Sequence, residues 1–350
     1  MRKLLTILLL LPGLNLFSQN VMTPELLWKL GRVNGIAVTK DKNFIIYSVS
    51  TPDVVSNKSV TKTYRMAVNG SVGEVIENYS PLVTDKNISP DGKFVVSSQS
   101  VKINKVSGKD FYPDLDKSNV RIYDNLMYRH WDEWADGNFN HVFYAPVDKS
   151  AEAIDIMPGE PYHSPTKPFG GDEDYIWSPD SRQIIYVTKK KYGKDYAVST
   201  NTDIYSYDIQ TGNTKNLSEG MMGYDVNPAY NAKGDLVWLS MKRDGYEADK
   251  QDIVVLANGK ITNLTAHRDD LHVSSFKWSD DGQYIYFIAP KNGTEQLFEL
   301  KHEGINKNAP VIKQVTIGDF DVTGIIGQSG NNLIVSRTDM NHAAELFSVD

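Results

Sequence analysis

Cysteine is absent from all 350 residues. Disulfides, thiolate metal centres, a cysteine nucleophile and a lipid-anchor cysteine are therefore excluded, and the core alone must hold the fold. Long apolar runs are missing too: beyond the N-terminus no stretch is apolar enough for a transmembrane helix. Positive charge is in short supply. The 37 Lys and Arg are outnumbered by 44 Asp and Glu, giving a formal charge of −7. With no basic run, there is no electrostatic footprint for nucleic acid. The 7 His include no pair at ligand spacing such as HxxxH, so neither a structural zinc site nor any other cofactor is expected.

What is present begins with "MRKLLTILLLLPGLNLFSQN". Arg2 and Lys3 precede an apolar stretch from Leu4 to Leu16, and Ser18 stands where a signal peptidase would cut. Residues 1–18 therefore read as a secretory signal peptide, cleaved after Ser18, which makes the expected location periplasmic or secreted with no membrane anchor. Losing Arg2 and Lys3 takes the formal charge from −7 to −9. The remainder, 19–350, reads as one domain. Its 19 Tyr and 6 Trp favour strands, where aromatic side chains pack on a pleated face.

A turn repeats along that domain. The copies are "VTKDKNFIIYSV" at 38–49, "ISPDGKFVVSSQ" at 88–99, "WSPDSRQIIYVT" at 177–188, "YNAKGDLVWLS" at 230–240, "WSDDGQYIYFIA" at 278–289 and a faded "GQSGNNLIVSR" at 327–337. In each an apolar or aromatic residue leads into a turn rich in Asp, Asn and Gly, whose side chains and free φ suit tight turns, and a strand follows. From Asp180 to Gly234 is 54 residues, to Asp281 another 47, and to Gly330 another 49. Each interval also holds a second hairpin, at 203–218, 252–265 and 296–316. Two hairpins per period make a four-stranded sheet per repeat, which predicts an all-β chain, a β-propeller of four-stranded blades. Six repeats are visible, the last one incomplete, and about seven are expected in the intact protein.

Asp91 and Asp180 are 89 residues apart, which predicts one blade carrying an insertion over about 101–140 rather than a degenerate extra blade. The insertion holds "SNVRIYDNLMYRHWDEWADGNFN", the least repetitive and most aromatic stretch of the chain, and its outer hairpin is expected at 141–159. Long irregular insertions of this kind are usually functional. Ahead of the first blade, "TPELLWKLG" reads as a short helix with Thr23 as N-cap and Pro24 in its first turn.

The order of these features, from "TPELLWKLGRVNGIAVTKDKNFIIYSVS" through the SPDG turns to "YRHWDEWADGNFNHVFYA", resembles the propeller domain of the prolyl oligopeptidase family of serine peptidases, in its secreted bacterial dipeptidyl-peptidase 5 and acylaminoacyl-peptidase types. The SPDG turns are shared with TolB-like propellers; the segment from Arg129 to Trp134 is more specific. The resemblance implies an exported exopeptidase that releases dipeptides or acylated residues from oligopeptide N-termini. It further implies a propeller that gates access to a C-terminal α/β-hydrolase domain bearing a Ser-Asp-His triad. That domain is missing, so no triad residue carries over. The near-match "GQSGN" lacks the second glycine, since Asn331 stands in its place, and puts Ser329 in a strand turn rather than a strand-to-helix elbow. The chain is thus expected to be a truncated fragment, inactive alone, whose oligopeptide substrates are engaged through the missing domain. The rival is a non-enzymatic TolB-like periplasmic propeller that binds a protein or envelope partner. A homodimer remains open in either case.

The resemblance also implies the candidate substrate-binding residues: Arg129, His130, Trp131, Asp132, Glu133 and Trp134. Asp132 or Glu133 would anchor a free substrate amine, because a carboxylate selects an ammonium group and hence a peptide end. The ordinary alternative has Trp131 and Trp134 plugging the insertion onto the propeller. Asp114, Asp116 and Ser118 alternate as calcium ligands do but lack the loop glycine and the terminal Glu. "SSFK" at 274–277 precedes Trp278 in a strand and matches a catalytic motif by letters only. The charged stretches 189–195 and 241–249 read as solvated hairpin tips.

Overall fold

In five of the six sheets the repeated turn folds the first strand back onto the second; in the second sheet it leads into the first strand, preceded only by the Ile88–Val95 bridge. The structure, a computed structural model, describes residues 22–114, 117–302 and 309–350. The expected signal peptide, Asp116 and the middle of the 296–316 hairpin lie outside the described residues. Four sheets have four antiparallel strands: Arg32–Val38, Phe44–Asp53, Lys58–Ala67 and Glu74–Val75 in the first; Tyr175–Trp177, Gln183–Thr188, Asp203–Asp208 and Thr214–Asn216 in the third; Asp225–Tyr230, Leu236–Ser240, Asp252–Ala257 and Lys260–Asn263 in the fourth; Ser275–Trp278, Tyr284–Lys291, Thr294–Lys301 and Ile312–Gln314 in the fifth. The second sheet (Phe94–Lys102, Asn138–Pro146, Ile154–Asp155) and the sixth (Asp321–Ser329, Asn332–Asp339, His342–Val349) have three strands each. The chain is all-β, as the turn spacing predicts. The long interval is one sheet with an insertion between its first two strands.

The chemistry of the turn explains why it recurs. Thr39, Ser89, Ser178 and Ser279 each donate a hydroxyl proton to the Asp two residues on, at 2.6 to 2.7 Å. The same oxygens accept the N–H of the residue five on, at 2.9 to 3.0 Å. In the fourth sheet Asn231 takes over, its Oδ1 accepting from Lys233 and Asp235. These hydroxyls hold Asp41, Asp91, Asp180 and Asp281 below the usual carboxylate range. The turning residue has positive φ in every copy; it is glycine in four, but Lys42 (62°) and Ser181 (61°) in the others.

Neighbouring turns also bond to each other. The Asp91 N–H donates to Ser181 Oγ at 3.0 Å, Asp280 N–H to Gln328 Oε1 at 2.9 Å, and Ser329 Oγ to the Lys42 carbonyl at 2.7 Å. Lys42 pairs with Asp280 at 2.6 Å. Ser329 is therefore a turn residue spent on linking the sixth sheet to the first. Close packing accompanies that link: a Cβ on Gly327 would stand 2.7 Å from Val38 Cγ2.

Between the sheets lies the core. Trp238, Tyr186, Phe287 and Phe298 are its largest fully buried side chains, each worth about 1.5–3 kcal/mol in apolar burial. Its apolar clusters each join two adjacent sheets, as when Ile285 and Phe287 meet Val237 and Leu239. Along Tyr284–Lys291, Ile285, Phe287 and Ala289 are buried and Tyr284 and Tyr286 half so, but Ile288, which strict alternation would place with the tyrosines, is buried too. All sheets run in the same order. The turns thus gather at one end, and the insertion gathers with the sheet-to-sheet loops at the other.

Candidate functional site

The insertion is closed at its root and open at its tip. At the root the Gly137 carbonyl accepts the N–H groups of both Ile103 and Asn104 at 3.0 Å. A one-turn helix, Gly108–Phe111, is capped by Ser107 and Asp110, whose carboxylate accepts the N–H of Val106 and of Ser107 at 2.8 Å. The six residues singled out in the sequence then form a two-stranded ribbon. Arg129 pairs with Trp134 and His130 with Glu133, which leaves Trp131 and Asp132 as the turn. Trp131 takes a φ of 48° there.

All six are solvent-exposed. Arg129 Nε donates to the Trp131 carbonyl at 2.8 Å, and its guanidinium lies 5.3 Å from the Trp134 ring. Trp134 stacks on Tyr123 (6.3 Å) and Tyr128 (6.2 Å), with Arg121 over it at 5.9 Å. The insertion therefore folds on its own aromatic cluster. Trp134 does act as a plug, but within the insertion. Trp131 points elsewhere: it is 68% exposed, edge-on to His130 at 4.7 Å and 5.8 Å from Phe169, itself 80% exposed.

Phe169 belongs to the loop 160–174 linking the second and third sheets, which carries a second contact to the ribbon, Lys167 to Glu133 at 3.5 Å. Glu133 is thereby engaged; among the described residues Asp132 holds no hydrogen bond or ion pair. Sequence reasoning missed Phe169 and Lys167, because neither is near the ribbon in sequence. Tyr123 and Tyr128 were visible as part of the aromatic insertion.

The charged stretch 241–249 is largely exposed, as expected of a solvated tip, whereas the lysines of 189–191 are half-buried. Lys189 Nζ donates to the carbonyls of Tyr196 and Ser199 at 3.0 and 2.8 Å and lies 3.8 Å from the Tyr196 ring; burial lowers its pKa. Lys190 pairs with Glu160 at 2.7 Å. Asp244 accepts from Ser199 Oγ and the Thr200 N–H, tying 241–249 to 189–202. His141 and His163 are structural. His141 bridges Asp155 and the Glu160 carbonyl, both at 2.8 Å, and burial brings the His163 pKa down to about 4. Asp114 is exposed; its alternate partner Asp116 is outside the described residues.

Two buried acids also lie here. Asp174 accepts the N–H and hydroxyl of Thr166, both at 2.8 Å, while burial pushes its pKa up to about 6. Asp225 is pushed up to about 7 by burial. Clefts of about 300 and 250 Å³ lie between the third and fourth sheets and between the fifth and sixth, away from the ribbon. By contrast, every exposed aromatic side chain among the described residues sits at the insertion end: Trp28, Phe111, Tyr112, Tyr128, Trp131, Trp134, Phe169, Tyr192 and Tyr246.

No protein-family model matches the chain. It is 36% identical to dipeptidyl-peptidase 5 of Porphyromonas gingivalis, over 86% of this chain and 50% of that protein. It is 33% identical to dipeptidyl-peptidase 5 of Porphyromonas endodontalis, over 95% of this chain and 54% of that protein. The chain thus spans about half the length of the curated relatives it matches. Its fold is like that of Pyrococcus horikoshii acylaminoacyl peptidase, with a TM-score of 0.63 at 12% identity over 93% of this chain and 52% of the other. No helix among the described residues is long and apolar enough to cross a membrane. By its identity to these relatives the chain belongs to the prolyl oligopeptidase family of peptidases, and it is similar to their propeller portion.

Proposed function

We propose that residues 19–350 form the substrate-gating propeller of an exported serine-type exopeptidase that releases dipeptides or acylated residues from oligopeptide N-termini. The signal peptide would be cleaved after Ser18 and the enzyme would work in the periplasm or outside the cell. The observation that carries this reading is that every exposed aromatic among the described residues sits at the insertion end. That end would face the catalytic half found in the longer relatives, and peptides would pass over the ribbon to reach it. Free amines would be anchored by Asp132 rather than Glu133, because Glu133 is paired with Lys167. About seven blades in the intact propeller, one beyond the six sheets described here, would require parting the contact of the sixth sheet with the first, made by Ser329 on the Lys42 carbonyl and Gly327 against Val38.

The test is a fusion of this chain to the half of Porphyromonas gingivalis dipeptidyl-peptidase 5 that it does not match. The chain alone should hydrolyse nothing. The fusion should release N-terminal dipeptides, favour short peptides over folded proteins, and lose that size preference when 108–135 is deleted. Equal kcat/KM on short and long substrates with and without the insertion would overturn the gating role. Activity of the unfused chain would overturn the assignment of catalysis to the other half.

A further inference from the structure

We infer that Asp174 is the positioning residue of the ribbon tip: it winds the loop 160–174 into the shape that holds Asp132 from both sides, so this loop sets how strictly a free amine is selected. The consequence for selection rests on the function proposed above; the positioning does not.

The ribbon touches its surroundings through the residues on either side of Asp132. Trp131 meets the Phe169 ring at 5.8 Å, and Glu133 meets Lys167 at 3.5 Å. Among the described residues, the other hydrogen bonds, ion pairs and ring contacts of 129–134 stay inside the insertion. A ribbon this short does not hold its own turn in water. Trp134 secures the base through Tyr123 and Tyr128, and the loop secures the tip. Asp132 is thus placed by its neighbours while its own carboxylate is left for a ligand.

Lys167 and Phe169 come from one tightly wound segment, and Asp174 is what winds it. Asp174 is 1% exposed, and its Oδ2 accepts both the N–H and the hydroxyl of Thr166 at 2.8 Å. Such bonds to a carboxylate are stronger than neutral ones. The Gly170 N–H returns to the Thr166 carbonyl at 2.8 Å, which closes a turn with Lys167 and Phe169 inside it. A Cβ on Gly170 would overlap Asp174 Oδ2 and the Thr166 nitrogen, so the chain wraps directly against the carboxylate. The start of the loop is fixed as well. The Ser164 N–H donates to the Asn140 carbonyl at 2.8 Å, and the Thr188 hydroxyl to the His163 carbonyl at 2.9 Å. An exposed ion pair contributes little by itself. Presented from a loop that buried bonds have already ordered, it costs less entropy to form.

The test compares the full chain with Asp174→Asn, Asp174→Ala, Thr166→Val and the double variant Lys167→Ala/Phe169→Ala, by millisecond amide exchange over 128–135 and by Tm. Asp174→Ala and Thr166→Val should each speed ribbon exchange about fivefold or more. Asp174→Asn keeps an oxygen acceptor and should restore exchange close to wild type. Adding Thr166→Val to the double variant should bring no further increase, because the loop is then already disconnected from the ribbon. Where Asp174→Ala does not fold, Thr166→Val carries the comparison. A ribbon that ignores Thr166→Val, or responds to it equally once Lys167 and Phe169 are truncated, would overturn the positioning role. In the fused enzyme, Thr166→Val should also narrow the kcat/KM advantage of a free-amine peptide over its N-acetylated form by about fivefold. Coupled exchange without that narrowing would leave Asp174 as the positioning residue and overturn the amine anchor proposed for Asp132.

Discussion

Asp225→Asn should make the protein's stability much less dependent on pH. Asp225 is 1% exposed at the start of the fourth sheet's inner strand. Its Oδ1 accepts the Trp238 indole N–H at 3.1 Å, while Oδ2 has no hydrogen-bond partner. The hydroxyls of Ser240 and Ser218 favour the ionised form, but burial outweighs them and the nearby Asp203 adds repulsion, bringing the pKa to about 7. An unfolded Asp titrates near 3.9, so the shift amounts to roughly three pKa units, or about 4 kcal/mol. The folded chain holds the proton that the unfolded chain has released. Stability from this group is therefore full below about pH 4 and is lost as pH rises through about 7.

The amide keeps an oxygen for Trp238 and never ionises. Wild type and variant are compared by thermal unfolding from pH 5 to pH 8. The variant's Tm relative to wild type should climb across that range by roughly 4 °C. Asp174, raised to about 6, slopes the same way but is present in both proteins and cancels. A Tm difference that does not change with pH would refute the reasoning, whatever its size.

Other changes probe other parts of the chain. Ser178→Ala removes both the donor to Asp180 and the acceptor for Gln183, and should cost about 1–2 kcal/mol in urea unfolding. The turn carboxylates, held below their usual range by such hydroxyls, give stability that is present above about pH 4 and lost on acidification below it. That predicts a separate acid limb, which Asp180→Asn should reduce in a Tm titration. Gly137→Ala would put a Cβ 2.1 Å from the Asn104 carbonyl oxygen at a φ of 81°. It should cost more than about 2 kcal/mol and speed proteolysis within 108–135. Trp131→Ala and Phe169→Ala should each change stability by under about 0.5 kcal/mol, measured by chemical denaturation, while raising KM in the fused enzyme.

The fold was legible because one turn recurs with its chemistry nearly intact. Ser178, Asp180 and Gln183 are local to each other, so the letters report the hydrogen bonds directly. Lys42 and Ser181 show the limit of this: they turn with positive φ and no glycine, held by bonds to neighbouring turns that no local pattern records. The same limit applies at the insertion. The ribbon's residues were legible from composition, but its pairing with Phe169 and Lys167 joins segments more than thirty residues apart. Lys189 was misread for a similar reason. A run of three lysines looks solvated until the carbonyls of Tyr196 and Ser199 come round to meet it.

The two ends of the sheets put comparable residues to opposite uses. At the turn end the polar groups are consumed: each Ser or Thr serves its Asp and its strand, and Lys42, Ser181, Asp280 and Ser329 bond across to the next turn. Such an end is rigid and chemically quiet. At the insertion end the loops are stitched below the surface, through Lys189, Lys190 and Asp244, while their aromatic side chains are left facing outward. Ordering a loop costs conformational entropy, and these bonds offset that cost without covering the rings. Under the proposed function, the exposed aromatics of that face are what contact with the catalytic half would cover. Hydrogen exchange should therefore protect 108–135 and 160–174 in the fused enzyme relative to the chain alone, and leave the turns unchanged.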